Sequence, residues 1–313
     1  MTRLLPMRLS APAKINLHLR VGQVQNDGFH PLLSWMTTVG LFDTITLEDA
    51  PSGIALTCDD PRIPIDATNL IVRAAQLMSE VAQQHKARPF RAGAGSGLQL
   101  NLAKRIPAGG GLGGGSSDAA RILLALNQFW NLGQMIEQLA LLAAKLGSDV
   151  PFFLFGPSSI CQSRGEIVQP IAVSKTRFAT LVLPDIAMPT PRVYQVFDSL
   201  GSGKAQADLG QPAWQEWTSL NAEALLPRLI NDLEAPAFAI SPQLGRLRND
   251  IEQSLGRIVR MSGSGSTLFT LFDDLASAQR AAESVTRNGT RAIEVEIGIT
   301  PDDDLEQSWI ADA

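Results

Sequence analysis

Apolar positions repeat along this chain in two different periods. Residues 8–19 alternate around Ala13, Ile15, Leu17 and Leu19 and predict a strand, because successive strand side chains face opposite sides. Asn26, Asp27 and Gly28 form a turn signal. Residues 32–40 and 43–48 predict paired strands, residues 54–57 a short strand, and residues 97–102 another on Leu98, Leu100 and Leu102. A helical spacing governs residues 69–83 (Leu70, Ala74, Leu77, Val81), 117–130 and 134–146, with Gly147 where a C-terminal cap belongs. Past residues 160–168 the texture changes. A strand at 178–183 is followed by Pro184, Pro189 and Pro191, a helix at 193–200 and a polar loop at 201–211. Then come a helix at 244–254, strands at 258–261 and 267–272, a helix at 275–287, a strand at 292–297 and an acidic tail at 302–313. There is no internal repeat. Runs of strands and runs of helices, without regular alternation, give an α+β class. The change of texture sets an expected division into domains 1–170 and 171–313.

One segment breaks both periods. Pro107, Ala108, Gly109, Gly110, Gly111, Leu112, Gly113, Gly114, Gly115, Ser116, Ser117 and Asp118 run from a predicted strand into a predicted helix. Glycine lets backbone N–H groups approach a ligand, and a helix N-terminus adds unpaired donors and a positive dipole end. Together these make a phosphate cradle. The segment formally contains Gly109-x-Gly111-x-x-Gly114, a dinucleotide fingerprint, but that motif needs an acidic residue about 20 positions on, at the end of a second strand. Glu137 lies inside a predicted helix, so the oxidoreductase reading fails its context. No Gly-Lys-Ser/Thr closes the segment either, so it is not a Walker loop. Ser116 or Ser117 could cap the helix, or face a phosphate or Mg²⁺; the two roles are compatible.

Composition narrows the setting. With 26 basic and 31 acidic residues the net charge is −5, which argues against a general nucleic-acid surface but allows a local anion pocket. The two cysteines, Cys58 and Cys161, cannot build a disulfide framework, and three histidines without a zinc spacing argue against a structural zinc site. No secretory signal or membrane-length apolar run is present in the sequence given, so a cytoplasmic protein is expected.

Three motifs stand in order: Pro12-Ala13-Lys14-Ile15-Asn16-Leu17, the glycine loop, and Ser262-Gly-Ser-Gly-Ser266. Further matches are Asp27-Gly28-Phe29-His30, Asn69-Leu70-Ile71-Val72-Arg73-Ala74 and Gly147-Ser148-Asp149-Val150-Pro151. In this order the chain resembles the GHMP kinase superfamily over nearly its whole length, least so at 199–230 and in the tail. The resemblance implies a two-domain fold with the active site in the cleft between domains. It also implies ATP-dependent phosphoryl transfer, with Mg²⁺ accompanying ATP, to a hydroxyl of a small molecule; the likest branch uses a cytidine-diphosphate-linked methylerythritol. Another small-alcohol kinase, or a nucleotide-binding protein without catalysis, remains the alternative.

The resemblance also implies roles. Asp149 accepts or orients the hydroxyl proton; read without the resemblance, it could equally cap the helix after it. Lys14 stabilises charge on the reacting oxygens and keeps Asp149 ionised. Asn16, on the same strand face as Lys14 by period two, contacts substrate. His30 reaches the cytosine edge, while Phe29 and Tyr194 stack on its faces. Asn69 and Lys104 touch the adenosine part of ATP, although Lys104 could instead be a solvated charge at a strand end. Residues 262–266 close around the phosphates or the glycine loop. Metal ligands stay unassigned. The implied partner is a small molecule, with no nucleic acid or membrane, in a monomer or homodimer. Trp35, Trp130, Trp214 and Trp217 are expected to pack, and His18 and His85 receive no role.

Overall fold

The strand-forming alternation of the first fifty residues folds into one long hairpin. In a computed structural model that describes residues 6–84, 96–173, 175–203 and 209–305, β1 (Met7–Val21) and β2 (Leu32–Ala50) pair antiparallel from Met7↔Leu47 to Val21↔Leu32. Residues 32–40 and 43–48 therefore do not pair with each other; they are one strand. The break in alternation near Gly40–Phe42 is a bulge, where the register shifts between Pro12 and Ala13, and not a turn.

The other edge of β2 is shared. Residues 32–37 pair with β5 (Ser158–Ser163), and residues 44–50 pair with β4 (Ser96–Ala103). β3 (Ser52–Cys58) joins β4 in parallel and β6 (Ile167–Pro170) joins β5, completing a six-stranded sheet. One face carries α1 (Leu70–Gln84), α2 (Gly114–Phe129), α3 (Ile136–Leu146) and α4 (Phe152–Phe155). Their apolar stripes bury Ile71, Ala74, Met78, Ile122, Leu126 and Leu139 against Leu9, Ile45, Leu47, Leu98 and Leu100. Each of the isoleucine, leucine and methionine side chains among them contributes roughly 1.5–3 kcal/mol.

A second, antiparallel sheet has the order β10 (Ala292–Glu296), β7 (Phe178–Val182), β9 (Leu268–Phe272), β8 (Arg260–Met261). α10 (Leu275–Arg287) packs on it. Between β7 and β8 the chain forms α5 (Thr190–Ser199), α6 (Trp214–Ser219), α7 (Ala222–Leu225), α8 (Glu234–Ile240) and α9 (Pro242–Leu255). The α+β class expected from the sequence is the one found. The short helices α4 and α6 to α8 span at most seven residues, too few for a helical period to register.

β1 serves two neighbourhoods. Ala13, Ile15 and Leu17 enter a core shared with Leu181, Leu225, Leu229 and Phe269 of the second half. The intervening Lys14 and Asn16 face a cleft. The described part of the acidic tail is not free. Asp303 forms a buried ion pair with Arg121 of α2 and accepts from the Ser10 amide (2.9 Å), while Asp304 accepts from the Arg8 amide (2.6 Å). His85, residues 204–208 of the polar loop and residues 306–313 of the tail lie outside the described residues.

Of the tryptophans expected to pack, Trp35, Trp214 and Trp217 join the core around β1, and Trp130 joins the core beneath the helices. Trp35 is fully buried and donates Nε1–H to Ser158 Oγ at 2.8 Å. His18 is wedged edge-on between Trp214 and Trp217, and its Nδ1 accepts the Ile230 amide at 3.3 Å. Burial, with the positive Arg20 nearby, pulls its pKa from 6.5 down to about 4. The unfolded chain thus takes up a proton below pH 6.5 that the folded chain refuses until about pH 4. Stability conferred by neutral His18 is whole above pH 6.5 and falls as pH drops towards 4, by on the order of 3 kcal/mol at 1.36 kcal/mol per pH unit. Urea unfolding of wild type and His18→Gln between pH 7.5 and 4 checks this: the wild type loses that stability and the variant loses far less.

Candidate active site

The glycine loop is built by its neighbours as much as by its own sequence. It leaves β4, passes under β1, where the Lys14 amide donates to the Leu112 carbonyl (2.9 Å), and enters α2. Gly113 is the N-cap of α2, in left-handed conformation (φ 69°), and no side chain caps the helix. The helix starts three residues earlier than predicted, and neither Ser116 nor Ser117 is its cap; only glycine reaches this φ without strain. The first-turn amides consequently face the cleft without intrahelical acceptors. Ser116 lines the cleft, whereas Ser117 Oγ is buried with no hydrogen-bond partner and lies off its wall.

A second loop, residues 262–266, closes on the first. Ser262 Oγ donates to the Gly111 carbonyl (3.0 Å) and accepts the Asn16 amide (3.2 Å), and the Thr267 amide donates to the Gly110 carbonyl (3.2 Å). Asn231 holds this loop from behind, donating Nδ2 to the carbonyls of Met261 and Gly263, both at 2.8 Å.

The cleft so formed has a volume of about 440 Å³. On its floor the Lys14 ammonium, nearly buried, lies 3.3 Å from Asp149 Oδ2 and donates to Asn16 Oδ1. Asn16 is oriented in turn by donating Nδ2 to Ser34 Oγ (2.9 Å), which donates to the His18 carbonyl (2.8 Å). Asp149 sits in the turn between α3 and α4; the N-cap of α4 is Pro151, so Asp149 is not a helix cap. Its carboxylate remains one-third exposed to the cleft. Tyr194 of α5 lines the same space, and burial with the nearby Asp149 charge raises its phenol to about 12, keeping it neutral.

Two predicted residues stand apart from this wall. His30 donates Nδ1–H to the Gly22 carbonyl (2.9 Å), lies 3.4 Å from Asp198 through Nε2, and has its ring 5.0 Å from that of Tyr194. Phe29 is 49% exposed, with the Arg164 guanidinium 3.9 Å above its ring and Arg164 paired to Asp27. Asn69 lines the cleft, but its side chain is engaged, accepting the Ile71 amide (2.9 Å) and donating to the Pro64 carbonyl (2.6 Å).

Lys104 is not a solvated strand-end charge. It pairs with the buried Asp43 and with Asp118. Neither aspartate was singled out in the sequence, although Asp43 shares its parity with the buried Ile45 and Leu47, and a carboxylate on the core face of a strand is a signal. Burial pushes the Asp118 carboxyl up to about 7, against the pull of Lys104.

Glycine-rich amides at a helix N-terminus, facing a lysine–aspartate pair across one cleft, are the parts of a phosphoryl-transfer site. The family models agree: residues 69–157 match the GHMP kinases N-terminal domain and residues 213–291 the GHMP kinases C-terminal domain. The fold and the site thus define an ATP-dependent kinase of the GHMP class. The chain is 38% identical over 293 residues to the 4-diphosphocytidyl-2-C-methyl-D-erythritol kinase of Nocardioides sp., covering 90% of this chain and 93% of that one. It is 37% identical to the kinase of that name from Gloeobacter violaceus, over 87% and 88% of the two chains. A crystal structure of 4-(cytidine 5'-diphospho)-2C-methyl-D-erythritol kinase superposes with a TM-score of 0.74 at 35% identity, over 94% of this chain and 100% of that one. The homoserine kinase of Cytophaga hutchinsonii shares the fold, with a TM-score of 0.66 at 16% identity. The chain belongs to the 4-diphosphocytidyl-2-C-methyl-D-erythritol kinase family of GHMP kinases.

The close approach of the two loops sets different costs for two glycines. Gly109 (φ 72°) has open space where a Cβ would stand, whereas at Gly111 (φ 77°) a Cβ would lie 2.3 Å from the Ser262 carbonyl. Gly109→Ala is expected to cost about 1–2 kcal/mol of left-handed strain. Gly111→Ala must also part the loops, and should lower the melting temperature further and abolish nucleotide binding. Thermal melts with and without ATP separate the two variants.

Proposed function

We propose that this chain transfers the γ-phosphoryl group of ATP to the 2-hydroxyl of 4-diphosphocytidyl-2-C-methyl-D-erythritol. The observation that carries the reading is the Lys14–Asp149 pair, 3.3 Å apart on the floor of the cleft that the glycine loop walls. The substrate is the one its relatives are named for.

In this reading the amides of the glycine loop and of the first turn of α2 hold the phosphates of ATP. The acceptor hydroxyl sits beside Asp149, which orients it and takes its proton as the new O–P bond forms and the bond between Pγ and the bridging oxygen of ADP breaks. Lys14, fixed by Asn16, stabilises the negative charge spread over the transferring group. Because phosphoryl transfer demands mainly positioning and charge neutralisation, this small inventory suffices. Asn69 and Lys104 border the adenosine end. The cytosine stacks on Tyr194, and its pocket extends beyond the cleft wall to His30, whose ring is 5.0 Å from that of Tyr194, and to Phe29 at the exposed margin.

Magnesium, bound with ATP, supplies further charge neutralisation at the phosphates. Among the described residues there is no cluster of three side chains that could hold a metal by themselves. An ion that travels with ATP keeps phosphate and water ligands and needs few from protein, and the Ser116 hydroxyl at the end of the loop is the group that would reach it. The proposed domains are residues 1–170 and 171–313. No helix among the described residues is long and apolar enough to cross a membrane, and a cytoplasmic setting is proposed for the enzyme.

ADP release with ATP, Mg²⁺ and the cytidine-diphosphate substrate tests this reading. Asp149→Ala is expected to lower kcat by about 10²–10⁴-fold with the fold intact, and Lys14→Met by a similar factor. Tyr194→Ala should instead raise KM for the acceptor and leave KM for ATP near wild type. Turnover with homoserine or mevalonate, and none with the cytidine compound, would redirect the assignment to another small alcohol.

A further inference from the structure

Behind the loop at 262–266, a short segment joins it to the end of β1. The Leu19 amide donates to the Ile230 carbonyl (2.7 Å) and the Asp232 amide to the Leu19 carbonyl (3.0 Å). Asp232 Oδ2 accepts the Val21 amide (3.0 Å), and Glu234 Oε1 accepts the Met261 amide (2.9 Å). Between these anchors Asn231 donates both Nδ2 hydrogens, to the carbonyls of Met261 and Gly263, and its Oδ1 accepts the Leu233 amide (2.9 Å). A carbonyl can only accept and a backbone N–H only donate, so these three partners fix which way the side chain points its nitrogen. Asn231 is buried, and losing its donors would leave two carbonyls without those partners.

One of these bonds reaches the chemistry. The Gly263–Ser264 peptide is trans, and a trans peptide points its C=O and N–H in opposite directions. Asn231 takes the Gly263 carbonyl from behind, so the Ser264 N–H is turned the other way, to the side where Gly263 and Ser264 line the cleft. Among the described residues the Ser264 amide has no acceptor. It lies beside the lysine of the site: a Cβ on Gly263 would stand 3.2 Å from Asn16 Oδ1 and 3.6 Å from Lys14 Nζ. We propose that Asn231 is a positioning residue for phosphoryl transfer, holding the Ser264 N–H towards the transferring phosphoryl group as a second donor beside Lys14. A fixed donor aimed at developing charge stabilises a transition state without reorganising as the reaction occurs. Gly263, at φ 56°, leaves this peptide free to turn, which is why a side chain behind the loop is needed to hold it. The inference rests on the reading that the phosphates of ATP enter this cleft, but not on the identity of the acceptor.

Steady-state kinetics of the full chain with ATP and Mg²⁺ test this on two changes. Asn231→Asp keeps the shape, removes both donors and sets a carboxylate against two carbonyls. It is expected to lower kcat about 10²-fold, the loss typical of deleting one oxyanion donor. KM for ATP and for the acceptor should stay within about threefold of wild type. Replacing the backbone amide of residue 264 by an ester, with the α-hydroxy acid analogue of serine in place of Ser264, deletes only the N–H and is expected to lower kcat by the same factor. Asn231→Asp in the ester protein should then cost less than about threefold more, because the donor it positions is already gone; a role in packing alone would add in full. The ester protein keeps Asn231, so it decides the matter if the aspartate variant fails to fold. An ester protein with kcat within about threefold of wild type, full additivity, or a loss carried by KM for ATP instead of kcat would overturn the proposal. The same losses with another small alcohol as acceptor, and no turnover of the cytidine compound, would uphold it and sink the acceptor assignment. No ATP turnover by wild type with any acceptor would overturn the kinase reading and this proposal together.

Discussion

The contact on which the rest of this structure depends is the backbone seam between β1 and the glycine loop. The Lys14 amide donates to the Leu112 carbonyl, and the Asn16 amide and Gly111 carbonyl share Ser262 Oγ. A chain of six glycines in twelve residues has a large conformational entropy to lose on ordering. It is held in one shape because β1 presses on one side and residues 262–266 on the other. The same seam sets the chemistry. β1 sends Ala13, Ile15 and Leu17 into the core and Lys14 and Asn16 into the cleft, so the strand that fixes the loop also presents the lysine beside it.

Around that seam the charges are arranged in two buried or half-buried groups. One, Lys14 with Asn16 and Asp149, sits on the floor where a hydroxyl and a phosphate would meet. The other, Lys104 with Asp43 and Asp118, lies under the start of α2. Both keep a lysine in place by giving its ammonium several acceptors, which is what a flexible four-carbon stem requires if its charge is to be aimed. They differ in solvation. Asp149 is open to the cleft, while Asp118 is enclosed, so its charge state is governed by burial.

Long strands and helices were legible from period alone. α10 has the bounds its spacing predicts, 275–287, and α1 differs by one residue at each end. Two failures are instructive. The bulge in β2 resembled a turn, because a register shift and a loop both interrupt alternation and only pairing partners separate them. The start of α2 fell three residues late because glycine has no apolar side chain to register, although Gly114 and Gly115 are already helical. The glycine loop, Lys14 and Asp149 stood out through their residue types and order. Asp118 ended the same motif without drawing attention, since a helix-borne aspartate is ordinarily a solvated one.

By itself the sequence determined a phosphate cradle, because a glycine-rich strand-to-helix passage carries its physics locally, while the class of chemistry and the parts played by Lys14 and Asp149 followed from the resemblance of its ordered motifs to the GHMP kinases. What only the tertiary structure decided is which of these meet, and in what state. Residues 14, 112, 149 and 262 are brought together by three different connections. The burial of Asp118 and His18 depends on what packs over them, and neither a period nor a motif records the solvent that a folded chain excludes.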